Sequence, residues 1–327
     1  MAYSADVVRR ARQQLAQQKA DYESKYNHNL YAAYEKLPRL KEIDFQLRQS
    51  MTLAAQSAFV KGEDARTAME QVKQANLSLQ AERQALIAAN FAPDYLQENV
   101  LCSNCGGSGY VGSTMCDCLK ALCRQEQKKE LKKLTCGQER FEDFRLDYYS
   151  AAVDSAIGVS PRTVMELNLK HCRQYAESFD GSGKNLLFVG NTGLGKTFLS
   201  ACIAGAVAEK GYSVTYESAH QLFEKLSKNQ FNPDDESRQA VARINDCDLL
   251  IVDDLGTELP GNFVTAALYG LLNDRLLSGK SMIVSTNLNA DEIARRYSPQ
   301  IASRLQGVFK MLSFVGSDIR VMKNRGI

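Results

Sequence analysis

The chain has 327 residues and no apolar run approaching the roughly 18 that a membrane-spanning helix needs. Its first residues, Met1 to Gln14, lack the apolar core of a signal peptide. Net charge is also scarce. At +2, it leaves local patches rather than an overall field to make any nucleic-acid contact. These absences set the expectation of a cytoplasmic chain with no membrane partner and with reduced thiols. Nine cysteines in that setting point to metal or redox chemistry, or to simple burial, rather than to disulfides. The composition, 44% hydrophobic and 24% charged, is that of a globular protein, and the length suggests about two domains.

What the chain does contain is organised around residues 185–198. Leu186 to Val189 form a short unbroken apolar run, the mark of a strand buried on both faces of a parallel sheet. Gly190-Asn191-Thr192-Gly193-Leu194-Gly195-Lys196-Thr197 then fits G-x-x-x-x-G-K-[ST], and Phe198, Leu199, Cys202, Ile203 and Val207 continue at helical spacing. A nucleotide's phosphates need several donors converging from one side. Backbone N–H groups of a tight loop and the dipole of the following helix supply them. Gly190, Gly193 and Gly195 allow positive φ and close approach to phosphate oxygens. Lys196 is placed for the β- and γ-phosphates, and the Thr197 hydroxyl for Mg²⁺. The whole stretch 190–198, including Phe198, is expected to bind ATP.

After this loop, strand and helix patterns alternate. Tyr212 to Glu217, Leu249 to Val252 and Ser281 to Ser285 read as strands. Ala219 to Leu226, Glu236 to Asn245 and Val264 to Leu277 read as helices, with a polar loop from Asn229 to Asp235. The pattern predicts an α/β domain in which helices cover both faces of a parallel sheet. Ligands of such sheets bind at the carboxyl ends of the strands. Asp253 and Asp254 end one strand there. Asp253 is expected to hold Mg²⁺ through its water shell, and Asp254 to orient or deprotonate an attacking water. Asn287, after Ser285-Thr286, is expected to reach the same edge, with turn capping as the competing reading. Arg304 is expected to enter a neighbouring subunit's site if subunits assemble head to tail, and Arg320 is a weaker second candidate. From Leu288 onward, seven Lys/Arg face three Asp/Glu, a bias that suits DNA phosphates.

The region before the loop is different in kind. Apolar residues at intervals of three and four form three helical blocks. These run from Val8 to Leu37 (ended by Pro38), from Leu40 to Phe59, and from Ala65 to Leu86. Short turns between them predict an antiparallel all-α bundle with narrow, Ala- and Gln-rich stripes and a thin core, read either as a self-contained bundle with a solvated outer face or as a partner-binding domain. Next come Cys102-x-x-Cys105 and Cys116-x-Cys118, two close pairs that match a structural, fully ligated Zn²⁺ site. Cys123 is an alternative ligand, and a redox pair or unliganded thiols are alternative readings. Cys136, Cys172, Cys202 and Cys247 sit singly in apolar patterns as core residues. Residues 119–134 form a Lys-rich helix, read as a solvated linker because Glu126 and Glu130 balance much of its charge. Ser160-Pro161 starts a further helix, to about Phe179.

Together, Gly190–Thr197, Leu249–Gly256, Ser285–Asn287, Ser303–Leu305 and Asp318-Ile319-Arg320 make the chain resemble the AAA+ ATPases of the bacterial helicase-loader group. That group is of DnaC and DnaI type, with IstB-type transposition helpers as close kin. Arg140–Phe144 and Tyr148–Ser150 also look like the linker that precedes the ATPase core in loaders. The likeness covers about 139 to 327. It implies a P-loop NTPase with an AAA+ core, an N-terminal domain that grips a hexameric replicative DNA helicase, self-association through the ATP site and binding of single-stranded DNA. The matching division is 1–98 for the helicase-binding helices, 99–136 for the zinc-binding module and linker helix, and 137–327 for the ATPase. The alternative is an IstB-like helper of a DNA transposase. Two departures stand out. Asp254 replaces the usual glutamate, and the chain stops soon after Arg320, short of a helical lid.

Overall fold

A computed structural model describes residue 3 and residues 5–57, 63–96, 101–133 and 139–324, with side chains left aside at 51–72, 130, 132–133 and 323–324. Cys136 and Arg325 therefore lie outside the described residues, as do the side chains of Lys132, Lys133 and Lys323. The described chain packs as two units. One joins Met1–Ala11 to Leu119–Ile327, and the other is Arg12–Cys118.

Arg12–Cys118 holds the three expected helices. They are α1 (Ala5–Lys36, which begins in the other unit), α2 (Pro38–Ser57) and α3 (Glu63–Asn90). Pro38 ends one helix by starting the next, where its missing N–H costs nothing. The core here is thin. Ala33, Leu40 and Leu96 are buried, with Leu30, Leu37, Ile87 and Phe91 packed around them. Polar contacts add to it. Arg83 pairs with Asp44 at 2.7 Å, Tyr34 donates to the same carboxylate at 2.7 Å, and Arg39 meets both oxygens of Glu82. A two-stranded hairpin, β1 (Tyr110–Val111) and β2 (Thr114–Met115), follows the first cysteine pair.

The second unit is the expected α/β domain. Its elements are α4 (Asp117–Lys133), α5 (Pro161–Glu177), β3 (Asn185–Val189), α6 (Lys196–Glu209), β4 (Val214–Ser218), α7 (Ala219–Phe231), α8 (Asp235–Asp246), β5 (Leu249–Leu255), α9 (Asn262–Leu277), β6 (Ser281–Thr286), α10 (Ala290–Arg296), α11 (Pro299–Val308), β7 (Phe309–Ser313) and α12 (Ile319–Asn324). Five strands form one parallel sheet in the order β4-β5-β6-β3-β7. Side-chain alternation splits its core in two. Leu249 and Ile251 join Phe188, Leu199 and Ile203 on the α5–α6 face. Leu250 and Val252 join Leu187, Leu222, Leu268 and Leu305 on the other. The helix starts carry their own signals. Ser160 accepts the Thr163 N–H, and the Asp234/Ser237 and Asn289/Glu292 pairs close capping boxes.

The sequence reading needs one correction here. The Lys-rich helix α4 is not a solvated linker. Leu119, Leu122, Cys123 and Leu131 are buried, as are Glu126 and Gln127. Gln127 donates to the Tyr212 carbonyl at 2.7 Å, and Glu126 accepts from Arg10 at 3.2 Å and Lys129 at 2.6 Å. Its charges thus frame a packed face. Of the C-terminal basic residues, Arg296 bonds to buried Glu258, and Arg320 lines the cavity described next.

Candidate nucleotide-binding site

Every strand of the parallel sheet points its carboxyl end toward one edge, and the 190–197 loop leaves β3 there. Gly195 takes φ +89 as it starts α6. The loop is closely overlaid by the segment after β7. A Cβ on Gly190 would overlap the Phe314 carbonyl, and one on Gly193 would overlap the Asp318 carboxylate. Only glycine lets the two stretches pack this way. Phe314 donates to the Val189 carbonyl at 2.7 Å and Ile319 to the Gly193 carbonyl at 3.0 Å, fastening that segment to the loop.

A cavity of about 300 Å³ opens beside the loop. Thr192, Gly193, Leu194, Gly195, Lys196, Thr197 and Phe198 line it, with Asp254 from the end of β5, Arg320 from α12, and Phe144, Tyr148 and Tyr149 from the segment before α5. Tyr149 is buried and donates its hydroxyl to the Leu194 carbonyl at 2.9 Å, and its ring stacks with Phe144 at 5.7 Å between centroids. Lys196, 4% exposed, folds back on the loop and donates to the carbonyls of Gly190 at 2.7 Å and Asn191 at 2.8 Å. Burial holds its ammonium below the usual lysine range, against the opposing pull of Asp254 and Asp253.

The two acids of β5 differ sharply. Asp253 is buried and does not line the cavity. Its Oδ2 accepts the Tyr216 hydroxyl at 2.8 Å and its Oδ1 accepts the Ser285 hydroxyl. Asp254 opens to the cavity from a left-handed backbone at φ +55, with its N–H donated to Ser285 Oγ at 2.9 Å. Protein packed around it and the neighbouring Asp253 raise its carboxyl above the ordinary range, with Lys196 and Arg320 pulling the other way. Thr197, which lines the cavity, and the buried Asp253 both offer oxygen to a cation. That suits Mg²⁺, which takes few protein ligands beside substrate phosphates.

Among the expected site residues, Gly190, Asn191 and Asp253 do not line the cavity, and neither do Asn287 and Arg304. Asn287 is exposed after β6 and is not among the lining residues. Arg304, on α11, lies over the Tyr269 ring at 4.3 Å and donates to its hydroxyl at 2.9 Å. It does not line its own chain's cavity. Conversely, the sequence reading gave Tyr216, Ser285 and Asp318 no role. A hydroxyl inside an apolar strand carries no signal of its own, and only sheet register sets Tyr216 and Ser285 beside Asp253. The aromatic residues at 141–149 did carry a signal, standing out in a polar stretch.

Within Arg12–Cys118, the four cysteines converge. The sulfurs of Cys102, Cys105, Cys116 and Cys118 all lie within 4.8 Å of one another, with Cys102–Cys116 at 3.7 Å and Cys105–Cys118 at 3.4 Å. The Gly109 N–H donates to Cys105 Sγ at 3.3 Å. Although burial pushes the Cys105 thiol up, amides of Gly109 and Gly107 and the neighbouring thiols bring it down to about 6. Four such sulfurs could hold a metal ion. Cys123 is not one of them. It is buried on α4, and its thiol is pushed up to about 11 by burial and by Glu126. Cys172, Cys202 and Cys247 are buried, as expected.

With this geometry in view, the family model described as IstB-like ATP binding protein matches residues 120–301. The replicative helicase loader DnaC of Escherichia coli K12 is 24% identical over 138 residues, 42% of this chain and 56% of that protein. An ATP-binding protein of insertion sequence IS232 from Bacillus thuringiensis is 30% identical over 143 residues, 42% of this chain and 56% of that one. A crystal structure of the DnaC helicase loader superposes with a TM-score of 0.44 at 22% identity, over 54% of this chain and 98% of that one. The chain thus spans about half the length of the curated relatives it matches. The matched segment carries the phosphate loop, both acids of β5 and most of the parallel sheet, the core of a P-loop AAA+ fold. The chain belongs to the family of IstB-like ATP-binding proteins.

Proposed function

We propose that the chain is an ATP-dependent loader of a hexameric replicative DNA helicase that hydrolyses ATP and binds single-stranded DNA. The observation that carries the ATPase half is the convergence on one cavity of Lys196, Thr197, Asp254 and Arg320 with the aromatic face of Phe144 and Tyr149. In this reading Lys196 leaves the loop carbonyls for the β- and γ-phosphates, the loop N–H groups receive the phosphate oxygens, and the aromatic face takes the base. Thr197 and Asp253 would hold Mg²⁺, which would supply charge compensation for the phosphates. Asp254 orients or deprotonates the attacking water. Its raised carboxyl makes it a better proton acceptor than an ordinary aspartate. Arg304, held on an aromatic ring away from its own cavity, completes the site of a second copy of the chain, and Asn287 acts at that shared edge.

The loader half rests on what precedes the family's ATP-binding region, a helical bundle with a thin core and a cluster of four cysteines. Thiolates around a zinc ion at about 2.3 Å stand roughly 3.8 Å apart. The 3.4 and 3.7 Å separations of the two sulfur pairs suit that ion. We assign helicase binding to residues 1–98, zinc to the cysteine cluster within 99–136, whose helix α4 packs with the ATPase unit, and the ATPase to 137–327, in the cytoplasm. The DnaC relative is a replicative helicase loader, and that role comes to this chain as part of the same proposal.

A second reading, helper of a DNA transposase, is favoured by the description of the matching family and by the insertion-sequence relative. One experiment separates the two. Full-length protein is mixed with the purified replicative helicase of its host, with ATP, and the mass of the product is measured. A complex containing the helicase hexamer is expected. No complex, together with tighter binding of duplex than of single-stranded DNA, would transfer the assignment to the transposition helper.

A further inference from the structure

Asp253 is gripped from both sides of its strand. β4 supplies Tyr216, whose hydroxyl donates to Oδ2 at 2.8 Å, and β6 supplies Ser285, whose hydroxyl donates to Oδ1. Ser285 Oγ also accepts the Asp254 N–H at 2.9 Å, so one hydroxyl ties both acids to β6. All three side chains are enclosed, with Tyr216 and Asp253 at 6% exposure and Ser285 at 0%. In the sheet register Ser218 stands opposite Asp253, so Tyr216 lies two residues back on the same face and its ring spans the diagonal. That ring packs in the apolar cluster of the α5–α6 face, where phenylalanine would pack as well. The hydroxyl is the one feature that phenylalanine would lack.

A carboxylate has about four lone-pair sites, and its terminal torsion is soft. Two hydroxyl bonds on opposite oxygens fix that torsion and leave the remaining lone pairs pointing in set directions. We infer that Tyr216 is a positioning residue, which orients Asp253 toward the hydrated cation of the nucleotide. The inference rests on the proposed reading of Asp253 as the group that holds Mg²⁺ through water. Ser285 alone would hold one oxygen and let the carboxylate swing about that contact. Partners of this kind typically change metal affinity by about 10- to 100-fold when they hold a direct ligand, and less through an intervening water.

The test removes one oxygen atom. Tyr216→Phe in the full chain is titrated with MgCl₂ at a fixed concentration of a fluorescent ATP analogue, and bound nucleotide is read by anisotropy. The same analogue is also titrated in EDTA. The expected result is a midpoint for Mg²⁺ raised by about 3- to 10-fold, in line with outer-shell losses, with the EDTA affinity unchanged. Ser285→Ala should raise the midpoint as well, since it frees the other oxygen. A Tyr216→Phe midpoint equal to wild type overturns the inference. So does an equal loss of binding with and without Mg²⁺, which would mark a collapsed site rather than a misdirected carboxylate. Asp253→Asn separates the two levels of the argument. If wild type responds to Mg²⁺ and Asp253→Asn responds identically, the reading of Asp253 itself is wrong, and the role of Tyr216 falls with it.

Discussion

The carboxylate of Asp318 rests on Gly193 so closely that a β-carbon at position 193 would overlap it. Asp318 Oδ1 also accepts the Arg320 N–H at 2.8 Å, and the next residue, Ile319, donates to the Gly193 carbonyl at 3.0 Å. The phosphate loop and the C-terminal helix are therefore one mechanical piece, and Arg320 enters the nucleotide cavity from it.

Asp318→Ala should accordingly free the start of α12 at a cost of about 1 kcal/mol, the worth of a side-chain cap. It should also weaken ATP binding more than ADP binding, because Arg320 loses its anchor while the loop keeps its own donors. Asp318→Asn should retain most of the wild-type preference, since its oxygen can still accept the N–H. Calorimetry with the two nucleotides checks this, and equal losses for ATP and ADP would contradict it.

Lys196→Ala should abolish measurable ATP binding while the circular dichroism spectrum stays that of a folded α/β protein. The ammonium donates to the loop carbonyls of Gly190 and Asn191, so its loss leaves the sheet core untouched. The charge-assisted contact it offers a phosphate is what disappears. Calorimetric affinity equal to wild type would remove this loop from the argument.

Asp254 gives a pH dependence whose sign follows from its environment. Its carboxyl is raised from the ordinary 3.8, chiefly by the protein packed around it and then by Asp253. Ionised Asp254 therefore burdens the folded state. The penalty is absent below the unfolded value and fully present above the raised folded one. Asp254→Asn should raise the melting temperature at neutral pH, with the gain shrinking as pH falls through that window. ATP turnover should vanish at every pH while nucleotide binding survives. Melting curves at several pH values check the first claim, and a gain that grows on acidification would refute it.

Purified protein should carry one zinc ion per chain in the cluster of Cys102, Cys105, Cys116 and Cys118. Strong chelation or Cys102→Ser should loosen residues 100–120, visible as faster hydrogen exchange there, because this short segment has little apolar core beside the sulfurs. ATP affinity should stay near wild type, as none of the four cysteines lines the nucleotide cavity. Metal analysis that finds neither zinc nor iron would dispose of the assignment.

Arg304 should act on a neighbour. Arg304→Ala and Lys196→Ala chains, each lacking turnover alone, should recover partial ATPase activity on mixing, since a mixed pair joins an intact loop to an intact arginine. Steady-state phosphate release measures it. No recovery among variants that still self-associate would point to an arginine acting within its own chain.

The sequence by itself determined the sheet, the phosphate loop and the cysteine set. Unbroken apolar runs at 186–189, 249–252 and 282–284 read as buried parallel strands, and the loop's glycines and lysine specify their chemistry through backbone geometry that is local. The cysteine spacing worked for the same reason, because two short-range pairs need only one turn to meet. Long-range placement was different. β7 was not legible, because an edge strand reading Phe309-Lys310-Met311-Leu312-Ser313 buries only Phe309 and Leu312 and has no apolar run. The buried face of α4 was hidden by its lysines, whose long stems frame a packed surface without changing the composition. Tertiary structure alone decided that Arg320 rather than Asn287 reaches the cavity, and that Tyr216 and Ser285 close on Asp253. Those contacts join residues about 30 to 130 positions apart, set by strand order and by a glycine without a side chain, and no spacing along the chain encodes either.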